Sequence, residues 1–176
     1  MKQVLAVIVV LSLGLVAFVV TRPGTFHVER RITIHAPPEA VYAELADFHA
    51  WAAWSPWEQR DPAMRRTYSG ESYSWQGNRE VGSGSMTFTE RAAPSRIGID
   101  VAFTAPFASQ SRSAFTLAPK DGETDVVWSM DGGGDDLMSK AVVTFMSMEK
   151  AIGPDYEAGL KSLKVVVEGK QRPPER

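Results

Sequence analysis

Hydrophobic and polar residues alternate in the segment FHVERRITI, residues 26–34. Every second residue from Phe26 to Ile34 falls on one face, and only Arg30 interrupts the apolar character of that face. A period of two residues predicts a β-strand with one buried face. The chain after the first 25 residues therefore opens with a strand.

The period changes in PPEAVYAELADF, residues 37–48. Val41, Leu45 and Phe48 recur at the spacing of one helical face, which predicts an amphipathic helix. Two prolines begin this segment, and proline is accepted in the first turn of a helix, where its missing N–H has no partner to lose.

The next segment, WAAWSPWEQ, contains three of the five tryptophans of the chain. Trp51 and Trp54 are three residues apart, so one helical turn places them on the same side. Pro56 ends that turn, because the residue before a proline avoids the helical conformation. We expect Trp54 and Trp57 to face the interior and Trp51 to be half exposed. The three rings either close a binding cavity or fill a core.

Alternation returns between residues 64 and 131 and predicts five or six consecutive antiparallel strands. APKDGE, residues 118–123, has the composition of a hairpin turn between two of them. The glycine-rich segment DGGGDD, residues 131–136, ends the strands.

A helical period follows over residues 137–152, and Gly153-Pro154 interrupts it, with Pro154 predicted as the first residue of a last helix. Strands followed by a long helix predict an α+β domain. An antiparallel sheet with one apolar face needs a cover, and the long C-terminal helix is the element that supplies it.

The first segment differs from the rest of the chain. Residues 4–20 carry no charge and reach about 26 Å as a helix, the short end of a membrane span. A cleaved signal peptide or a buried core helix are the alternatives, but no A-x-A-like cleavage site follows the segment. Four segments are predicted: a single-pass membrane anchor or uncleaved signal over residues 1–22, a linker over 23–25, a domain over 26–169 and a polar tail over 170–176.

Composition excludes several kinds of chemistry. The chain has no cysteine, so disulfides and thiolate sites are excluded. Its net charge is -2 with no basic stripe, so no nucleic-acid partner is expected. His27, His35 and His49 lack metal-binding spacing, and the aspartates of residues 131–136 miss the EF-hand pattern. No nucleophile elbow is present. We predict no metal, no cofactor and no catalytic residue, which favours binding over catalysis.

A set of bulky apolar side chains is the candidate site. These residues are either simply core or the lining of a pocket for a hydrophobic small molecule or lipid, which adaptable methionines would suit. Four polar residues, Tyr42, Tyr73, Tyr156 and Arg112, are candidates to orient such a ligand. The predicted lining residues are Trp54, Trp57, Trp75, Met86, Phe88, Phe103, Phe115, Trp128, Phe145 and Met146.

Several stretches resemble a known superfamily. They are VERRITIHAPPEAVYAELADFHAWAAWSPWE, YSWQGNREVGSGSMTFTE, VVWSMDGG and FMSMEKAIGPDYEAGLKSLK. In chain order, over about residues 26–168, they are similar to the SRPBCC superfamily, and more closely to its bacterial polyketide cyclase/dehydrase-like branch. The resemblance implies the START-like helix-grip fold of the birch-pollen allergen, in which a curved sheet grips the C-terminal helix around an apolar cavity. It also implies a bacterial protein with a single hydrophobic N-terminal segment, as residues 4–20 provide, so the expected location is the bacterial inner membrane.

The sequence departs from this resemblance at residues 70–72, where relatives have a longer, glycine-bearing segment. Glu71-Ser72 is poor chemistry for a two-residue hairpin. Three functions remain open. The first is a membrane-tethered domain that binds a hydrophobic small molecule or lipid, held in the membrane by residues 4–20. The second is a cyclase- or dehydratase-like enzyme, and the third is a stress-related or protein-interaction accessory domain with a filled core.

Overall fold

The computed structural model describes residues 1–171. Residues 172–176 of the predicted polar tail lie outside this range. In chain order the elements are α1 (Lys2–Val20), β1 (Thr25–Ile34), α2 (Pro38–Leu45), a short 3-10 helix (Ala50–Ala53), α3 (Pro56–Arg60), β2 (Arg65–Ser69), β3 (Ser72–Gln76), β4 (Ser83–Ala92), β5 (Arg96–Ala105), β6 (Ser109–Lys120), β7 (Glu123–Gly133), α4 (Leu137–Phe145) and α5 (Met148–Gln171).

The seven strands form one antiparallel sheet in the order β1-β7-β6-β5-β4-β3-β2. Strands from β2 to β7 pair with their sequence neighbours as hairpins, and β1 pairs with β7. The predicted α+β class, the antiparallel sheet and the long C-terminal helix are therefore confirmed. The segment predicted to hold five or six strands contains six, β2 to β7.

Two tight hairpins show how local residues fix the register. Between β2 and β3, Ser69 pairs with Ser72, so the two loop residues are Gly70 and Glu71 rather than Glu71 and Ser72. Gly70 has φ +55, and glycine adopts this left-handed region without strain at the first central position of a turn. Between β6 and β7, Asp121 and Gly122 both have positive φ, as the predicted hairpin turn requires.

The C-terminal helix is broken at a different place from the one predicted. α4 ends at Phe145 and α5 begins at Met148, so Pro154 lies inside α5 instead of starting it. Ser147 starts α5 because its side-chain Oγ accepts a hydrogen bond from the backbone N–H of Lys150, 3.3 Å away. Pro154 has no N–H to donate within the helix, which disfavours an interior position. Packing of α5 against the sheet stabilises the helix enough to offset this loss.

α5 packs along the sheet through one stripe of side chains. Tyr156, Leu160, Leu163 and Val167 are buried at helical spacing, while Val165 on the other side is exposed. Arg30, the polar member of the inward face of β1, extends to the helix and pairs with Glu149 and Glu157 at 2.5 and 2.7 Å. The polar interruption of the predicted strand is therefore explained by an ion pair between β1 and α5.

Two glycines of α5 give a matched test of this packing. At Gly159 a Cβ would lie 2.8 Å from the Trp128 ring and 3.2 Å from Pro56, whereas nothing lies within 4 Å of one at Gly169. We expect Gly159→Ala to lower the free energy of unfolding by about 1–3 kcal/mol through overpacking. Gly169→Ala should raise it by about 0.5–1 kcal/mol, because alanine loses less backbone freedom on folding. Urea unfolding of the two full-length variants measures the difference, and equal shifts in the same direction would contradict it.

α1 stands apart from the core. It is long and apolar enough to cross a membrane, as a signal sequence near the N-terminus would also be. Only Val19 of this helix is buried. The end of α1 is nevertheless attached to the domain: Lys140 Nζ donates to the carbonyl oxygen of Val20 at 3.0 Å, and the N–H of Gly134 donates to the carbonyl oxygen of Gly24 at 3.1 Å.

Candidate functional site

A cavity of about 70 Å³ lies between the inner face of the sheet, α3 and α5. Its surface is almost entirely apolar. It is smaller than the roughly 300–1,000 Å³ of pockets that hold drug-sized ligands. The space accommodates a few small groups in this conformation, and a larger ligand requires the wall side chains to move.

The tryptophan segment forms one wall of the cavity. The short 3-10 helix holds Trp51, and Pro56 begins α3, which carries Trp57 toward the cavity. Trp54 is completely buried, and its ring lies 4.8 Å from that of Trp51. The expectation that Trp51 is half exposed is wrong. Its ring is buried because its indole N–H donates to the carbonyl oxygen of Leu45, 3.1 Å away, which turns the ring under α2.

Trp128 on β7 is the centre of the aromatic packing. Its ring stacks on Tyr156 of α5 at 3.8 Å and on Phe115 of β6 at 4.8 Å. Its indole N–H donates to Ser113 Oγ at 2.9 Å, and this oxygen also lies 3.2 Å from the hydroxyl of Tyr156. Burial raises the pKa of Tyr156, so the phenol stays neutral. The polar atoms of this side of the cavity therefore satisfy one another.

A second polar group lies at the opposite wall. The carboxylate of Glu58 accepts a hydrogen bond from the Tyr73 hydroxyl at 2.7 Å and one from Arg66 Nε at 2.6 Å. Glu58 is only 7% exposed, so the guanidinium of Arg66 supplies its compensating charge. Burial and the neighbouring carboxylate raise the pKa of Tyr73. The arrangement presents the aromatic ring of Tyr73 to the cavity and keeps the charges paired.

The structure separates the ten predicted lining residues into three groups. Five of them line the cavity: Trp57, Trp75, Met86, Phe103 and Trp128. Three are buried in the adjoining core without lining it: Trp54, Phe88 and Phe115. Phe145 and Met146 were expected to line the cavity, but both are exposed. α4 ends at Phe145 and does not continue into α5, so these two residues do not face the inner side of the sheet. Ligand binding by any of these residues stays a prediction.

Two of the four polar candidates, Tyr73 and Tyr156, reach the cavity. Tyr42 is half-buried on α2, and Arg112 points outward from β6 toward Asp100. Sequence reasoning did not select Glu58 or Ser113. Glu58 follows the tryptophan segment directly, but a lone glutamate in a short helix gives no signal of burial. Ser113 alternates with Phe115 on β6, so the strand period itself places it on the inner face.

The histidines and the acidic loop occupy separate surface positions. His27 Nδ1 lies 2.7 Å from Asp131, and this hydrogen bond raises the pKa of His27. His49 stacks on Tyr68 at 3.8 Å. Asp136 caps α4 by accepting a hydrogen bond from the N–H of Ser139 at 3.0 Å.

Comparisons with known proteins agree with this architecture. Residues 25–168 match the family described as polyketide cyclase/dehydrase and lipid transport. Protein CV1439 from Chromobacterium violaceum is 22% identical, with a TM-score of 0.57 over 83% of this chain and 99% of its own. The Zhui aromatase/cyclase from Streptomyces sp. R1128 is 18% identical, with a TM-score of 0.61 over 84% and 96%. The Aha1 dimer from Colwellia psychrerythraea is 16% identical, with a TM-score of 0.57 over 81% and 96%. None of the curated proteins compared with the chain matches it. At these identities the solved structures establish the fold alone.

Proposed function

The chain belongs to the polyketide cyclase/dehydrase and lipid transport family, and from that premise we propose that it is a membrane-tethered domain that binds a hydrophobic small molecule or lipid. The observation that carries the proposal is the apolar cavity between α3, α5 and the sheet. The apolar helix α1 provides the tether.

The chemistry of the wall favours an apolar ligand over a polar one. Its charged groups are already paired, since Glu58 is engaged by Tyr73 and Arg66. A polar ligand would lose hydrogen bonds to water and find few unoccupied partners, which is costly in an apolar site. An acyl chain or similar apolar group has no such requirement, and burial of its surface stabilises the complex.

The small volume implies that the ligand enlarges the cavity as it binds. Met64, Met86 and Met130 are in the wall, and methionine adapts its shape because its side chain is unbranched and polarizable. Trp57 is only partly buried at the edge of the cavity, so its ring can move without disrupting the centre of the core. We expect the cavity to open by rotation of these side chains.

The five tryptophans provide an intrinsic probe for the test. Four of them line the cavity, Trp54 packs against that group, and α1 contains none. A brominated fatty acid should therefore quench the fluorescence of the full-length protein in nanodiscs saturably. Bromine quenches only at short range, and quencher that is only dissolved in the bilayer would quench without saturation, so saturable quenching indicates binding to the domain.

A matched pair of variants assigns the quenching to the cavity. Val101→Phe places a ring into the cavity from β5, and Thr104→Phe adds the same ring to the outer, exposed face of that strand. We expect Val101→Phe to weaken binding at least about tenfold, equivalent to about 1.4 kcal/mol, and Thr104→Phe to leave it unchanged. Unsaturable quenching, or equal quenching in both variants, would contradict the proposal.

A second candidate function is an accessory domain that binds another protein. The small cavity favours it, because a nearly filled core leaves little space for a ligand. The absence of saturable quenching in the wild-type protein would support this candidate. Catalysis has less support, since the polar groups at the cavity are hydrogen-bonded to one another and the sequence offers no catalytic residue.

A further inference from the structure

One face of α4 is apolar and uncovered. With 3.6 residues per turn, its apolar positions fall within about 140° of one side of the helix. Met138 is 72% exposed and Phe145 is 63% exposed, even with α1 present. No residue of α4 is buried. Large exposed apolar side chains that lie together indicate a surface with a partner. This face consists of Leu137, Met138, Ala141, Val142 and Phe145.

The position of α4 identifies the partner. α4 packs beside the end of α1, where Lys140 donates to the carbonyl oxygen of Val20, the last residue of that helix. Gly24 lies against Gly134 and the side chain of Lys140, so the connection between span and domain is tightly packed. α4 therefore lies level with the C-terminal end of α1, which is the end at the membrane surface if α1 crosses the bilayer.

A second apolar residue lies at the same end of the sheet. Phe107, in the connection between β5 and β6, is 82% exposed. The register pairs Ser111 with Gly132 and Thr25 with Gly133, so this connection, the start of β1 and the end of β7 share one end. Two separate elements thus present aromatic rings toward the side from which α1 arrives.

We infer that the apolar face of α4 and Phe107 form a membrane-docking surface that inserts into the interface of the bilayer that α1 crosses. An amphipathic helix in such a position buries its apolar face about 5–10 Å into the boundary between headgroups and acyl chains. Lys140 lies on the opposite side of α4 from the apolar face and remains bonded to α1. The inference rests on the proposed function, because it requires α1 to be in the membrane.

Docking would fix the orientation of the cavity. Phe103 and Met130 line the cavity, and each lies within a few residues of the end of the sheet that bears Phe107 and α4. The cavity is therefore at the membrane-facing end of the domain. A bilayer lipid or a hydrophobic molecule dissolved among the acyl chains would reach it over a short path.

The absence of cysteine from the chain permits a direct test with single labels. Phe145→Cys and Phe107→Cys would each carry an environment-sensitive nitrobenzoxadiazole label in the full-length protein, in phosphatidylcholine vesicles with doxyl-labelled phosphatidylcholine. Val165→Cys is the control, since Val165 is an equally exposed apolar residue (71%) on α5. Leu11→Cys reports whether α1 is in the bilayer.

We expect doxyl groups deep in the bilayer to quench the label at residue 11, and doxyl groups near the headgroups to quench the labels at residues 107 and 145. Each loss of emission should be about twofold or more, and the label at residue 165 should be unaffected. Quenching at 11 with none at 145 and 107 would overturn docking and leave the tether intact. No quenching at 11 would overturn the tether and docking together. Protection of 145 and 107 in native membranes but not in pure lipid vesicles would indicate a protein partner and also overturn docking.

Discussion

Replacing Trp128 with alanine should lower the free energy of unfolding by about 3–5 kcal/mol, the usual range for removal of a fully buried tryptophan. The ring is 2% exposed and is stacked between Tyr156 and Phe115. Its removal leaves a cavity at the contact between β7 and α5, because the strands and the helix cannot collapse onto it. It also deprives Ser113 of its indole donor.

A second variant separates the contributions of packing and hydrogen bonding to this loss in the free energy of unfolding. Trp128→Phe keeps an aromatic ring in the stack and loses the indole N–H, so we expect a smaller loss, of about 1–3 kcal/mol. Urea unfolding of the full-length protein in detergent, followed by circular dichroism, measures both variants without relying on tryptophan fluorescence. A Trp128→Ala protein as stable as the wild type would show that β7 and α5 do not share a cooperative core.

Replacing Glu58 with alanine should lower the free energy of unfolding by about 1–3 kcal/mol, because it leaves the buried Tyr73 hydroxyl without its acceptor and the half-buried Arg66 without its carboxylate. The Tyr73 hydroxyl would lose its acceptor in a buried position, and Arg66 would lose its compensating carboxylate. The loss arises mainly from the groups left unpaired, because the attraction within the pair is offset by its desolvation.

A double-mutant cycle checks this explanation. Tyr73→Phe alone removes the donor and leaves the Glu58–Arg66 pair in place, so we expect a loss of about 0.5–1.5 kcal/mol. In the Glu58→Ala background the same substitution should cost less, because the hydroxyl is already unpaired. Equal effects in the two backgrounds would mean that the hydrogen bond between Tyr73 and Glu58 contributes no coupling energy. Thermal or urea unfolding of the four proteins gives the coupling directly.

Trp128 and Glu58, the residues replaced in these two predictions, both line the cavity. Trp128 and Glu58 are held by hydrogen bonds to neighbouring side chains, while Trp57 and three methionines, whose unbranched side chains adapt their shape, also line the cavity. A rigid frame with an adaptable lining is suited to a ligand recognised by apolar surface rather than by hydrogen bonds. Under the proposed function, such a site would discriminate among ligands by size and shape.

The class of fold could be predicted from local periodicity. The alternation in residues 26–34 has a single consistent interpretation, since a period of two residues exposes opposite faces of a strand. The glycine in each tight turn acts through its own backbone, so Asp121-Gly122 could be assigned without knowledge of the rest of the chain. Of the five predicted lining residues that reach the cavity, four lie on strands, where alternation assigns each residue to a face, and Trp57 lies on α3.

The errors occur where contacts between separate helices and strands decide the outcome. Trp51 is buried by a hydrogen bond to Leu45 on the preceding helix, and no local pattern encodes it. Helical period continues through Ser147, so periodicity alone could not show that Phe145 and Met146 leave the core. The burial of Glu58 was also not predicted from the sequence. It depends on hydrogen bonds from Arg66 on β2 and Tyr73 on β3, and these come from elements other than the helix that carries Glu58.

The sequence by itself therefore determined the strands, the alternation of their faces and the apolar N-terminal helix, because each depends on residues within a few positions of one another. Only the tertiary structure decided that the tryptophans nearly fill the space between sheet and helix, that the cavity is about 70 Å³, and that α4 lies beside the end of α1. These properties depend on how closely separate elements approach, and that distance is set by packing of the whole chain.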